Sequence, residues 1–218
     1  MLTRKRKILL GNLFFWGIVL LVSTYYYLTN VESYIFYNPS EVSEVKLKYK
    51  WWLVAHFAPA ATTLFLGPLQ FIPYIRNRFL KFHRISGKIY IIGSLVSALT
   101  VYVLLVTTYS LPGAIPSLAL LATIWIFTTI MAYISIRKRN VKVHKEFMIR
   151  SYVCGLAFVF IRLLPEVDYF TGIFSFIEDE TMRYTIYEWI CWVYPLMITE
   201  FFLSWRPQLK KLLKTSRK

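Results

Sequence analysis

The chain has 218 residues, of which 57% are hydrophobic and only 17% are charged, and its mean hydropathy is +0.50. A soluble domain carries roughly 45–50% apolar and about 25% charged residues. This composition therefore excludes an ordinary soluble globule, and it excludes an intrinsically disordered chain as well. The two cysteines, Cys154 and Cys191, are too few for a disulfide scaffold or a cysteine-rich metal module. The composition predicts a multi-pass membrane protein.

Six stretches are long and apolar enough to cross a bilayer, since a helical span needs about 20 mostly apolar residues. The first follows a basic run, as a signal peptide does, but its apolar core is too long and no cleavage site follows. We interpret it as an uncleaved anchor. We predict an all-α fold in which a six-helix transmembrane bundle forms one integral membrane domain over residues 1–218. The predicted spans are approximately 8–28, 51–75, 89–109, 117–136, 147–164 and 184–205.

The positions of the basic residues predict the orientation of the bundle, because lysine and arginine collect in cytoplasmic loops. Most of the 26 precede the first span, follow the last, or lie between spans 2 and 3 and between spans 4 and 5. The opposite side has only Lys46, Lys48, Lys50 and Arg183. Both termini are therefore expected in the cytoplasm. Basic loops held at anionic lipid headgroups explain the net charge of +15, which leaves nucleic-acid binding without support.

Two of the predicted cytoplasmic loops, 76–84 and 137–145, resemble each other. Arg, Arg, Lys, His and a further basic residue occupy the same offsets, and His83 and His144 are 61 residues apart. Any two cytoplasmic loops share basic residues, but a matched histidine is unusual in a chain with three histidines. We predict that spans 2–3 and 4–5 are two repeated helical hairpins, related by an axis along the membrane normal.

Repeated hairpins would bring His83 and His144 to one depth, where two neutral imidazoles can hold a b-type haem as axial ligands. The basic neighbours Arg84 and Arg150 would suit the haem propionates. The same residues would equally suit phospholipid phosphates, and a single histidine at a basic helix end is usually a headgroup contact. The sequence leaves both alternatives open.

Further ionisable residues lie inside the predicted spans, where each marks a functional site by default. His56, Arg162 and Glu188 share a depth toward the outer side, and we predict that they meet. A purely structural ion pair between the arginine and the glutamate is an equal alternative, and so is separate snorkelling of the two side chains.

A second polar set lies toward the cytoplasmic side, where prolines and Gly67 interrupt span 2. Lipid tolerates such interruptions only where protein or a wet cavity satisfies the freed backbone groups. We predict an inner polar pocket at this depth. Its members are Gln70, Arg76, His83, His144, Arg150 and Glu200.

Three ordered motifs give the chain a family resemblance. They are Gly67-Pro68-Leu69-Gln70-Phe71, His83-Arg84-Ile85-Ser86-Gly87-Lys88-Ile89-Tyr90 and His144-Lys145-Glu146-Phe147-Met148-Ile149-Arg150-Ser151-Tyr152. Over roughly residues 50–205 the chain resembles an uncharacterised family of bacterial predicted membrane proteins, domain of unknown function 2306. That family carries G-P-x-Q-F, H-R-x-x-G-[KR]-x-Y and H-x-x-[FW]-M-x-R-S-Y. The resemblance implies the bacterial cytoplasmic (inner) membrane and implies almost nothing about activity.

The sequence carries no P-loop, G-x-G-x-x-G, H-E-x-x-H or G-x-S-x-G motif. The leading hypothesis is a b-haem redox protein that exchanges electrons with a quinone or a membrane-complex partner, with His56 and Arg162 near a second, outer site. The alternative is a non-enzymatic membrane protein, either an assembly factor for a membrane complex or a small transporter. An intramembrane metal-dependent hydrolase would need three ligands at one depth, which the histidine positions disfavour.

Overall fold

A computed structural model of the chain describes residues 4–35, 44–108 and 111–215, and every regular element in those ranges is helical. Six helices there are long and apolar enough to cross a membrane. This confirms the predicted fold class, an all-α protein with six transmembrane helices. The chain divides into two compact units, Met1–Ser110 and Leu111–Lys218, and each is described in turn.

The first unit contains three long helices and two short ones. The helix α1 packs along α3, and α3 packs along α5. Because α3 and α5 follow each other in the chain with only a short helix between them, they form a helical hairpin. The bounds are α1 (Arg4–Ile35), α2 (Glu44–Lys48), α3 (Lys50–Phe71), α4 (Pro73–Arg78) and α5 (Leu80–Thr107).

Hydrogen bonds between polar groups tie α3 to α5, and the α3 residues that make them recur every seven positions. This spacing keeps them on one stripe of the helix. In lipid such groups hold helices together, because the alternative is an unsatisfied polar atom in hydrocarbon. The contacts join His56 Nδ1 to the backbone oxygen of Ser97 (2.9 Å), Thr63 Oγ1 to Ser94 Oγ (2.8 Å) and Gln70 Nε2 to Ser86 Oγ (2.7 Å).

The interruption of span 2 lies farther along the chain than the sequence analysis placed it. The helix α3 continues through both Pro59 and Pro68 and ends at Phe71. The backbone of Ile72 is extended (φ −78°, ψ 112°), and Pro73 starts α4. A proline disfavours helical backbone in the residue before it and suits the first position of a new helix. The prediction that Pro59, Gly67 and Pro68 interrupt the span is therefore wrong, and Pro73 makes the break.

The second unit contains the remaining spans. The helices α6, α7 and α8 pack on one another, and the Ser117 hydroxyl donates to the backbone oxygen of Glu188 (2.9 Å) and accepts from Trp192 Nε1 (2.9 Å). These bonds fix α6 against α8. The elements are a 3₁₀ helix (Pro112–Ala114), α6 (Ile115–Arg137), α7 (Val141–Thr171), α8 (Glu180–Glu200), a π-helix (Phe201–Trp205) and α9 (Arg206–Thr215).

Several helices are longer than the apolar runs that predicted them. The helix α7 passes through Pro165 and ends at Thr171. Gly172 follows with a left-handed backbone (φ 64°), a conformation that suits glycine after a helix. The helix α5 already begins at Leu80. The length of an apolar run predicts only the part of a helix that lies in hydrocarbon. Backbone hydrogen bonds continue the helix beyond the end of that run. The last residue of the third predicted span, 109, lies outside the described residues.

Candidate functional site

His83 and His144 occupy the same position in their own helices. Each is the fourth residue of its helix, α5 or α7. Each donates its backbone N–H over 3.0 Å to the residue that precedes the helix, Phe79 for His83 and Asn140 for His144. Both side chains are half-buried. The match between the two loops therefore extends from sequence offset to helical position, while the repeat itself stays a prediction.

The loops before the two histidines are built differently. In the second unit the Asn140 side chain caps α7 by accepting from the backbone N–H of Val143 (3.2 Å), and Arg139 adopts a left-handed φ of 58°. In the first unit the short helix α4 precedes α5, and no side chain caps α5 at Phe79. The two loops thus share the placement of the histidine but not the backbone path that leads to it.

The imidazole of His144 is oriented by the neighbouring helix. Its Nδ1 lies 2.9 Å from the backbone oxygen of Ala132, on α6. A carbonyl oxygen only accepts hydrogen bonds, so this contact places a proton on Nδ1, and in the neutral imidazole the lone pair is then on Nε2. A neutral His144 can therefore act as a ligand or acceptor only through Nε2.

Arg150 and Glu200 form an ion pair in the second unit. Arg150 donates through Nε to one carboxylate oxygen of Glu200 and through Nη2 to the other (3.0 Å), and Nη2 also donates to Ser204 Oγ (3.0 Å). Ser204 in turn donates to Glu200 (2.8 Å). Their side chains are only 14% and 28% exposed, respectively. Two members of the predicted inner pocket are thus in direct contact.

A π-helix sets the position of Ser204 in this cluster. Arg206 donates its backbone N–H to Phe201, five residues back, and Pro207 follows without an N–H of its own. A proline inside a helix removes a hydrogen bond and crowds the preceding turn, so the wider π-turn accommodates it. Single π-turns within α-helices are frequent at functional sites.

Other members of the predicted inner pocket lie in the first unit. Gln70 is buried and donates to Ser86, and the absence of a Cβ at Gly87 gives the Gln70 side chain room, since a Cβ there would lie 3.1 Å from Gln70 Oε1. Arg76 Nε is 3.4 Å from the Asn77 side-chain oxygen. A pocket that gathers all six predicted residues stays a prediction.

The predicted outer residues have contacts inside their own units. His56 Nδ1 lies 2.9 Å from the backbone oxygen of Ser97 and 3.1 Å from its hydroxyl. Arg162 donates through Nη1 to the backbone of Phe158 (2.8 Å), and its guanidinium stacks 3.7 Å from the Phe158 ring. Cys191 Sγ lies 3.3 Å from the backbone oxygen of Glu188. A cluster of His56, Arg162 and Glu188 stays a prediction.

Sequence reasoning missed a buried carboxylate at the end of α7. Asp168 is only 6% exposed. It accepts hydrogen bonds from the hydroxyl of Tyr187 and from the backbone N–H of Phe174 (2.7 Å), and Arg183 Nη1 lies 4.0 Å away. Arg183 also donates to the backbone of Ile177. Asp168 therefore joins α7 and α8 to the connection between them.

Two local signals could have revealed this cluster. Gly172 is a typical residue after a helix C-terminus, and Asp179 is a typical N-cap, here accepting from the backbone N–H of Met182 (2.6 Å). Together they predict that α7 and α8 extend to this connection, so that Asp168 lies on a helix. We instead assigned Asp168 to a loop because the apolar run ends at 164.

Among the residues in the described ranges, no three of the His, Cys, Asp and Glu side chains form a group that could hold a metal ion. A haem takes only one or two axial ligands from the protein, so the absence of a three-residue group does not bear on haem binding.

Six apolar helices, tied within each unit by buried polar contacts, define a multi-pass membrane protein. Residues 53–203 match the family model described as "Predicted membrane protein (DUF2306)". The match covers more than half of the chain, which therefore belongs to this family, as its three motifs predicted. No curated protein and no solved structure matches the chain.

Proposed function

We propose that this chain is a redox protein that holds a b-type haem in the membrane, with His144 as an axial ligand. One observation carries the proposal, the 2.9 Å hydrogen bond from His144 Nδ1 to the Ala132 carbonyl. Histidines that bind metals almost always donate their other ring N–H to a carbonyl or carboxylate, which fixes the tautomer and the ring orientation. In the neutral imidazole this hydrogen bond leaves the Nε2 lone pair of His144 to bind the proposed iron.

His83 is the proposed second axial ligand. The support is the matched loop sequence and the equal position of the two histidines in the first turn of α5 and of α7. Two imidazole ligands are one of the standard ways in which proteins hold haem iron.

Basic side chains beside the histidines would pair with the haem propionates. Arg84 and Lys145 follow the two histidines directly and are exposed. Arg150 already donates through Nε and Nη2 to Glu200 and Ser204, so a propionate could use only its Nη1. We therefore assign the propionate contacts to Arg84 and Lys145 first, and to Arg150 second.

Bound haem would supply one-electron transfer, and the protein would tune its potential through the axial ligands and the surrounding dielectric. The proposed electron partner is a quinone or a membrane complex. The distribution of basic residues supports cytoplasmic termini, and the family resemblance supports a bacterial inner membrane as the location.

An absorption spectrum tests the haem proposal. Protein purified from cells supplied with a haem precursor should show a Soret band. The substitutions His83→Gly and His144→Gly should each abolish the band or convert it to that of a high-spin haem. Added imidazole should restore the low-spin spectrum, because it can occupy the space that the deleted ring leaves.

His56→Gly is the matched control, since His56 lies on the seam between α3 and α5 and bonds to Ser97. It should lower stability but keep the Soret band. A colourless wild-type protein from haem-supplied cells would overturn the proposal, and so would a band that survives both substitutions at His83 and His144.

One observation favours a second candidate, a small transporter. The ion pair of Arg150 and Glu200 lies beside the π-helix that carries Ser204, and transporters bind their substrates at irregular turns of membrane helices beside polar groups. For a transporter, a colourless protein is expected, and Glu200→Gln should abolish substrate uptake by proteoliposomes.

A further inference from the structure

The segment that follows Glu200 is entirely free of acidic residues. Residues 201–218 contain no Asp or Glu, whereas the ten residues of α9 (Arg206–Thr215) alone contain four basic ones. These are Arg206, Lys210, Lys211 and Lys214.

The side chains of α9 separate into two faces. At 100° per residue, Leu209, Leu212 and Leu213 fall within an arc of about 100°. Lys210 and Lys211 lie on the other side of the circumference, whereas Arg206 lies at the edge of the leucine arc. The three leucines are 51%, 67% and 66% exposed, respectively. The helix α9 thus presents an apolar stripe and a basic stripe, which is the pattern of a helix that lies on a membrane surface.

The length of the preceding helix places α9 at the headgroups. From Glu180 to Thr215 the chain is helical without interruption, and the part that ends at Trp205 amounts to roughly 39 Å at about 1.5 Å per residue. The hydrocarbon core is about 30 Å thick. Trp205, directly before α9, is a residue type that concentrates at the membrane interface. The part that ends at Trp205 is therefore already long enough to cross the hydrocarbon, and the π-turn at its end and Pro207 just beyond it are recognised causes of a helix kink.

We propose that α9 docks on the bilayer surface as an interfacial helix that recognises anionic phospholipid. Its leucine stripe contacts the boundary of the acyl chains, and its basic stripe contacts the lipid phosphates. The charge of α9 selects the bilayer over a second copy of the chain, because lipid phosphates attract its lysines, whereas a second α9 contains no acidic residue that could pair with them.

A fluorescent probe on the full-length protein tests this docking. Leu212→Cys carries an environment-sensitive dye, and the native Cys154 and Cys191 are buried and are replaced by alanine. In nanodiscs that contain phosphatidylglycerol the dye should report an apolar environment, and in pure phosphatidylcholine it should report water. Each lysine removed, Lys210→Gln or Lys211→Gln, should lower the ratio of docked to undocked lifetime populations about fivefold, since a basic residue near an anionic surface contributes about 1 kcal/mol.

Lys211→Cys is the matched control, since position 211 lies about 100° or more from each of the three leucines around α9, and its dye should report water in both lipids. Equal spectra of the Leu212→Cys dye in the two lipids would overturn the proposal. An apolar signal that appears in phosphatidylcholine and grows with the number of protein copies per disc would overturn it as well, because that signal would come from contact between copies.

Discussion

The ion pair of Arg150 and Glu200 permits a quantitative test of the second unit. Glu200→Gln keeps the shape of the side chain but removes its charge. The amide oxygen can still accept one hydrogen bond from Arg150, whereas the amide nitrogen replaces the second acceptor. The guanidinium charge, only 14% exposed, then has no carboxylate to balance it. We expect Glu200→Gln to destabilise the protein.

The size of the effect follows from burial. Removing one partner of a fully buried ion pair costs about 3–5 kcal/mol, whereas an exposed pair contributes about 0–1 kcal/mol. With exposures of 14% and 28%, this pair lies nearer to the buried case. We therefore expect a loss of about 2–4 kcal/mol from Glu200→Gln. Ser204→Ala, which removes a neutral hydroxyl from the same cluster, should cost about 1 kcal/mol.

The double substitution separates the ion pair from other effects of the mutation. Arg150→Leu combined with Glu200→Leu removes both charges, and apolar replacements of a buried pair are often neutral or even stabilising. The double variant should therefore be more stable than either single variant. The coupling energy of the pair is the stability change of the double variant minus the sum of the changes in Arg150→Leu and in Glu200→Leu.

Unfolding in dodecyl maltoside micelles with a rising fraction of dodecyl sulfate, followed by circular dichroism, measures these differences. Glu178→Gln is the matched control, because Glu178 is exposed on the connection before α8, and it should change stability by less than about 0.5 kcal/mol. If Glu200→Gln were as neutral as this control, the ion pair would contribute nothing and our reasoning from burial would fail.

Three further predictions test the packing, the missed cluster and the orientation. Gly93→Ala should destabilise the hairpin of the first unit by about 1–3 kcal/mol, because its Cβ would lie 1.9 Å from Thr62 Oγ1 and 2.8 Å from the Pro59 carbonyl. Gly11→Ala is the control in the same unfolding assay. A Cβ at Gly11 would have nothing within 4 Å, so this change should be neutral or stabilising. Asp168→Ala, which removes both acceptor oxygens, should cost about 1–3 kcal/mol and speed hydrogen exchange at the amide of Phe174, which Asp168 now binds. Unchanged exchange there would contradict the role of Asp168. A reporter that works only outside the cytoplasm should be active when inserted at 178 and silent after 218, and the reverse pattern would invert the predicted orientation.

The sequence predicted the spans well because long apolar runs report directly on burial in lipid. It also brought Arg150 and Glu200 together, since both lie inside spans at a similar depth and carry opposite charges. Depth is only one of three coordinates, however. The direction in which a side chain points around its helix decides which partner it meets. Depth alone did not predict that Gln70 binds Ser86 or that His56 binds Ser97.

The errors have local causes. We assigned the break in span 2 to Pro68, but a proline whose surroundings are packed can stay within a continuous helix, as the buried Pro68 does. The residue before Pro73 has extended backbone, and there the helix ends. The end of the apolar run also placed the end of α7 too early. Asp168 lies beyond that run and was therefore assigned to a loop, although it is buried on the helix.

The contacts inside the units show which residues of the family motifs pack helices together and which residues have no such packing role. Ser86 binds Gln70, Ser151 binds Thr129 (2.7 Å), and Tyr90 is completely buried. Packing between helices is a sufficient reason for these residues. It does not explain the exposed Arg84 and Lys145, which directly follow the motif histidines. Because packing leaves these two basic positions unexplained, they and the histidines beside them are where a ligand should be sought first.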